Sequence, residues 1–70
     1  MDRYEVIIYW SGADDAFIAE VPELRGCFAH GATREAALAN AERAIAAWLA
    51  TAEEFGDPIP QAKGRVLMVA

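Results

Sequence analysis

Residues 17–38, FIAEVPELRGCFAHGATREAAL, constrain this chain more than any other stretch. Val21-Pro22 closes an extended run, because proline has no N–H for a ladder and biases the preceding residue toward extended backbone. Gly26 and Gly31 then bracket Cys27-Phe28-Ala29-His30, room for one short strand, and read as turn glycines. Thr33 stands where a helix N-cap belongs, with Glu35 in the first turn. Its hydroxyl can accept from a free N–H, and the carboxylate suits the positive helix end. Ala36 occupies the position where a full capping box needs Glu or Gln, so the cap is partial. Strand, proline break, strand and capped helix are thus packed into a short span.

The flanks complete the pattern. In residues 3–10, RYEVIIYW, Tyr4, Val6, Ile8 and Trp10 alternate with Arg3, Glu5, Ile7 and Tyr9, which is strand periodicity. A turn cluster at residues 11–15 joins this run to a return strand at residues 16–21, forming a hairpin. Residues 33–55 carry a helical stripe of Leu38, Ala41, Ile45, Trp48, Ala52 and Phe55, widened by Leu49. Gly56 suits the residue just past the helix, and Pro58 and Pro60 block continuation. Residues 64–70 end in RVLMVA, a last strand. The order is β-β-β-α-β, an α+β domain over residues 1–70. The first three strands form an antiparallel meander. A right-handed crossover through the helix sets the fourth strand parallel to strand one, in sheet order 3-2-1-4 with the helix on one face.

One helix covers one side of such a sheet, so the other side of a monomer should be polar. Here both sides are apolar. Ile7, Tyr9, Ile18, Phe28, Leu67 and Val69 lie opposite Val6, Ile8, Phe17, Ala19, Cys27, Val66 and Met68. A one-residue change of register exchanges the two sets, so which of them faces the helix is open at this stage. Either way an apolar patch is left uncovered, which marks an interface. The first set is the candidate oligomer surface, for a homo-dimer or tetramer. A chain of 70 residues with 56% apolar content also gains from completing its core by association.

Composition excludes several functions. The net charge is −5, with six scattered Lys and Arg against eleven Asp and Glu, which argues against a basic patch that neutralises phosphates, so direct DNA binding is not expected. An acidic surface favours basic partners. The single cysteine cannot form an internal disulfide. Neither a signal sequence nor a membrane-spanning run is visible, so a cytoplasmic protein is expected. His30, the one histidine, reads as a strand-end residue, and with Cys27 cannot alone complete a tetrahedral metal site. Cys27 reads as a buried, inert thiol. Asp14 and Asp15 read as solvated turn formers, and with Glu20 and Glu23 they are candidate contacts for a basic partner. Trp48 falls on the helix stripe; Trp10, at a strand end, could reach an interface. No cofactor is expected.

The AEVPELRGCFAHGAT block, the EAALANAERAIAAWL helix and the GDPIP ending, in this order and spacing, resemble the N-terminal domain of the HicB-like antitoxins of bacterial toxin–antitoxin pairs. The resemblance spans nearly the whole chain. It implies the same β-β-β-α-β sheet, described in the family as a reduced ribonuclease-H-like fold. It also implies inhibition by binding: the toxin of such a pair, of HicA type, is a small basic ribonuclease that cleaves messenger RNA, and the antitoxin occludes it. Many such antitoxins continue into a DNA-binding module. This sequence stops at Ala70 without a basic recognition helix, so operator binding is not expected. Ribonuclease-H chemistry would need acidic residues around paired metals. Glu5 with Glu35 or Glu42 are the nearest candidates, and their spacing suggests ordinary solvent-facing positions, so the fold reads as non-catalytic. The alternative reading is a stand-alone homo-oligomeric scaffold without a toxin.

Overall fold

The computed structural model describes residues 3–62. Within them the protein is α+β: β1 (Ile7–Ser11), β2 (Ala16–Glu20), β3 (Phe28–Gly31) and α1 (Arg34–Phe55). The strands form one antiparallel sheet in the order β1-β2-β3, the meander read from the sequence. The expected fourth strand, with Leu67 and Val69 of the candidate oligomer set and Val66 and Met68 of the opposite set, lies outside the described residues.

β1 and β2 are joined by residues 12–15. Asp15 takes a left-handed φ of 51°, which Asp tolerates better than most residues. Ser11 braces the loop: its Oγ donates to the Asp14 carboxylate at 2.8 Å and accepts the Asp14 N–H at 3.3 Å. The β2–β3 connection consists of two successive tight turns. The Leu24 N–H reaches the Val21 carbonyl at 3.1 Å, and the Cys27 N–H reaches the Leu24 carbonyl at 3.0 Å. Pro22 occupies the second position of the first turn, where its fixed φ fits. Gly26 occupies the third position of the second turn at φ 73°, a place that favours glycine. The Val21 N–H also reaches the Cys27 carbonyl at 3.0 Å, so pairing continues one step beyond β2.

Thr33 caps α1 as expected, its Oγ1 accepting the Ala36 N–H at 3.0 Å. At the other end Gly56 is left-handed at φ 68°, its N–H directed at the Glu53 carbonyl, while the Asp57 N–H closes on the Ala52 carbonyl at 2.8 Å. This is the Schellman pattern, and a side chain at Gly56 is strained. Gly56→Ala should therefore cost about 1–2 kcal/mol, read as a lower urea midpoint with an unchanged slope.

The structure settles which sheet face meets the helix. Val6, Ile8, Phe17 and Ala29 pack with Ala19 against Ala37 and Ala41. Val21, Leu24 and Cys27 pack with Ile45, joined by Tyr4, Val6, Ala44, Trp48 and Leu49. The fully buried members of the first cluster are all alanines because α1 begins almost on the sheet. A Cβ at Gly31 would lie 2.5 Å from the Ala37 amide nitrogen and 2.7 Å from the Ala36 carbonyl carbon. Gly31 is thus no turn glycine. It is the last residue of β3, and the absent side chain lets the helix backbone seat there.

That seating also corrects the stripe. Ala37 is buried, not Leu38, which stays 39% exposed; Phe55 is 71% exposed at the last helical turn. Ala41, Ile45 and Ala52 are buried as read, and Trp48 is half-buried. Close contact at the helix start selects the residue facing Gly31, whatever its size, and turns its neighbour about 100° away. The Trp48 Nε1–H donates to the Arg25 carbonyl at 2.9 Å, fastening the β2–β3 connection to α1. The Tyr4 hydroxyl donates to the Pro60 carbonyl, so the segments before β1 and after α1 are also tied. Trp10 is about half exposed and meets Phe17 edge to face at 5.1 Å, with the Arg34 guanidinium 4.8 Å above the Phe17 ring.

A candidate partner-binding face

The face of the sheet turned away from α1 follows from strand register. Tyr9 stands opposite Ile18, and Ile18 opposite His30. One step along, Ile7 stands opposite Glu20, and Glu20 opposite Phe28. Alternation places all six side chains on the outer face. Ile7 is 40% exposed, Tyr9 42% and Phe28 62%. The described members of the expected oligomer set, Ile7, Tyr9, Ile18 and Phe28, therefore share one open surface.

Glu20 sits in the middle of it, on the central strand between Ile7 and Phe28. The Tyr9 hydroxyl donates to Glu20 Oε1 at 2.8 Å. This hydrogen bond holds the Tyr9 phenol above its ordinary range, with a smaller push from burial and from the charges of Glu20 and Asp14. The phenol is protonated at neutral pH in any case, and the upward shift extends the donor's range to more alkaline pH. The bond's contribution is present below the ordinary phenol pKa and is lost only as pH rises through the raised one. Tyr9, Asp14, Ile18, Glu20, Arg25 and Phe28 are among the residues that line a shallow groove on this side.

The four expected acidic contacts separate. Asp14 and Glu20 line the groove. Asp15 lies in the hairpin loop, its left-handed backbone shaping the turn. Glu23 lies in the first turn after β2, where its carboxylate accepts the Glu5 N–H at 3.1 Å. That bond assigns Glu23 a bracing role for the segment before β1. Arg25 and His30 were not foreseen in this setting. The alternation of Phe28-Ala29-His30 was the available signal for His30. Arg25 reaches the groove only through the turn at Gly26, which no periodicity encodes.

Cys27 is buried at the edge of the core, and burial raises its thiol pKa. Alkylation by iodoacetamide at mildly alkaline pH should be at least about a hundredfold slower in the folded chain than in urea, followed by mass spectrometry. Among the described residues no three His, Cys, Asp or Glu side chains gather closely enough to hold a metal ion. No helix among them is long and apolar enough to cross a membrane.

The family described as HicB_like antitoxin of bacterial toxin-antitoxin system matches residues 4–67. UPF0150 protein Ta0767 of Thermoplasma acidophilum is 36% identical over 59 residues, covering 84% of each chain. UPF0150 protein ssl0259 of Synechocystis is 32% identical over 67 residues, covering 96% of this chain and 90% of the relative. No solved structure matches the chain at a significant level. With the family match running from residue 4, ahead of β1, to residue 67, past α1, and with two relatives above 30% identity over most of their length, this chain belongs to the HicB-like antitoxins of bacterial toxin–antitoxin systems.

Proposed function

We propose that the chain is a cytoplasmic, non-catalytic antitoxin that binds a small basic, messenger-RNA-cleaving toxin of HicA type and neutralises it by occlusion. Family membership carries the reading. The net charge of −5 supports it, because opposite charge speeds encounter with a basic nuclease and selects against acidic competitors. The open outer face supports it as well, since occlusion needs a surface rather than a catalytic centre. Co-expression with the product of the adjacent gene tests it. The expected results are rescue of growth from that product's toxicity and joint purification of the two chains. A neighbour that is not a basic ribonuclease, or one that neither binds nor is neutralised, would remove the proposal.

The exposure of Ile7, Tyr9 and Phe28 favours a second reading, a homo-dimer or tetramer built on the same face, with or without a toxin. Sedimentation at micromolar concentration addresses it directly. A strictly monomeric chain would contradict it.

A further inference from the structure

Ile7, Tyr9, Ile18 and Phe28 form an open apolar face with a carboxylate at its centre, and the charge of that centre points to what covers it. We infer that this face is the seat for a basic partner, which places an arginine or lysine side chain on Glu20 between the Tyr9 and Phe28 rings. The inference rests on the antitoxin reading above and names the surface and chemistry through which it would work.

Three observations carry it. First, Glu20 is held in place but open to a further partner. Tyr9 occupies Oε1, and Oε2 has no hydrogen bond or ion pair among the described residues. A carboxylate oriented by a neutral donor still carries its full charge and accepts further donors, and a guanidinium or ammonium is the group that fits. Second, the walls suit a cation. The exposed aromatic rings of Tyr9 and Phe28 flank the carboxylate, and aromatic faces attract cations. The side chain's methylenes can lie along Ile7 and Ile18 while its charged head meets Glu20. Asp14 and Arg25 also line the groove, one of each sign, so Glu20 leaves it with a net negative charge.

Third, charge makes a second copy a less suitable occupant than a basic partner. Two-fold pairing of like faces sets the middle of one against the middle of the other. Among the described strands the middle is Glu20, on β2, so two carboxylates would approach within an apolar interface. A basic protein complements the net charge of −5, whereas an identical acidic chain repeats it.

The test uses the whole chain and its Glu20→Gln and Phe28→Ser variants, both at exposed positions, with Glu54→Gln on exposed helix surface as the charge-matched control. Far-UV circular dichroism confirms that each is folded. Titration with an arginine-rich peptide, followed by amide and aromatic NMR shifts, should move the outer-face residues of β1, β2 and β3, while the matching citrulline peptide should not. Glu20→Gln and Phe28→Ser should each weaken peptide binding by about tenfold or more, and binding of any basic ribonuclease that the adjacent gene encodes by a similar factor in calorimetry. Glu54→Gln should stay within about twofold. Shifts scattered over the acidic surface and indifferent to Glu20→Gln would overturn the inference. So would a wild-type oligomer that Phe28→Ser converts to monomer in sedimentation, which would assign the face to a second copy. Tight binding of the ribonuclease unaffected by either variant would sink the inference and leave the antitoxin reading standing. Peptide binding at Glu20 without any ribonuclease binding would sustain the face and sink the antitoxin reading.

Discussion

Gly31→Ala is expected to leave little folded protein. A methyl group at this position would lie 2.5 Å from the Ala37 nitrogen and 2.7 Å from the Ala36 carbonyl carbon, both backbone atoms of the first turn of α1. Neither can move without lifting the helix from β3. Lifting it opens the contact of Ala37 and Ala41 with Ala19, where all three residues are fully buried. Overpacking of this kind costs about 1–3 kcal/mol, and the upper end applies because no flexible side chain can yield. A single-core domain of this size has only about 3–5 kcal/mol in hand. Urea unfolding followed by tryptophan fluorescence should show the midpoint falling close to zero denaturant. Gly12→Ala is the contrast. Nothing lies within 4 Å of its added Cβ and its backbone is not left-handed, so stability should be unchanged or slightly higher. Equal midpoints for the two variants would refute the close-approach account of Gly31.

Leu24→Ala should be almost as damaging, although Leu24 lies in a connection. It is 1% exposed and packs with Val21, Cys27 and Ile45. The two tight turns at Pro22 and Gly26 throw its side chain back beneath the helix. Removing it loses the transfer energy of the buried carbons and leaves a cavity, because the turns are pinned by their own hydrogen bonds and by Trp48 to Arg25. The cost should be about 3 kcal/mol. Leu38→Ala, on the helix but at an exposed position, should cost under about 0.5 kcal/mol. An outcome in which Leu38 matters more than Leu24 would mean that α1 is rotated from the orientation described.

Much of the fold was legible because it is encoded locally. The alternation in residues 3–10 and 16–21 and the turn residues between them announce a hairpin, and β1 and β2 form it, although β1 pairs only from Ile7. Thr33 and Gly56 mark the helix ends because each satisfies backbone groups within one turn of itself. The stripe was read less well. Leu38 and Phe55 look like core because they are apolar and correctly spaced, yet spacing alone cannot say which side of a helix a neighbouring backbone touches. The candidate site was half legible. Glu20 and Asp14 were read as charges, and Ile7, Tyr9, Ile18 and Phe28 as apolar surface. Nothing local says that the two groups belong together, because their meeting depends on pairing between strands.

What the sequence alone determined is the order of the described elements, their punctuation, and the acidic, two-sided apolar character of the strands. These are short-range properties, set by backbone preferences, side-chain alternation and composition. The tertiary structure decided the rest. The seating of α1 on Gly31 chose the face with Val6, Ile8, Phe17 and Ala19 as core and left Ile7, Tyr9 and Phe28 in the open. The register of β2 between its neighbours then set Glu20 at the centre of that open face, within reach of Tyr9. Both choices rest on contacts between residues distant in the chain, where packing geometry rather than local preference selects among arrangements that the sequence pattern allows equally.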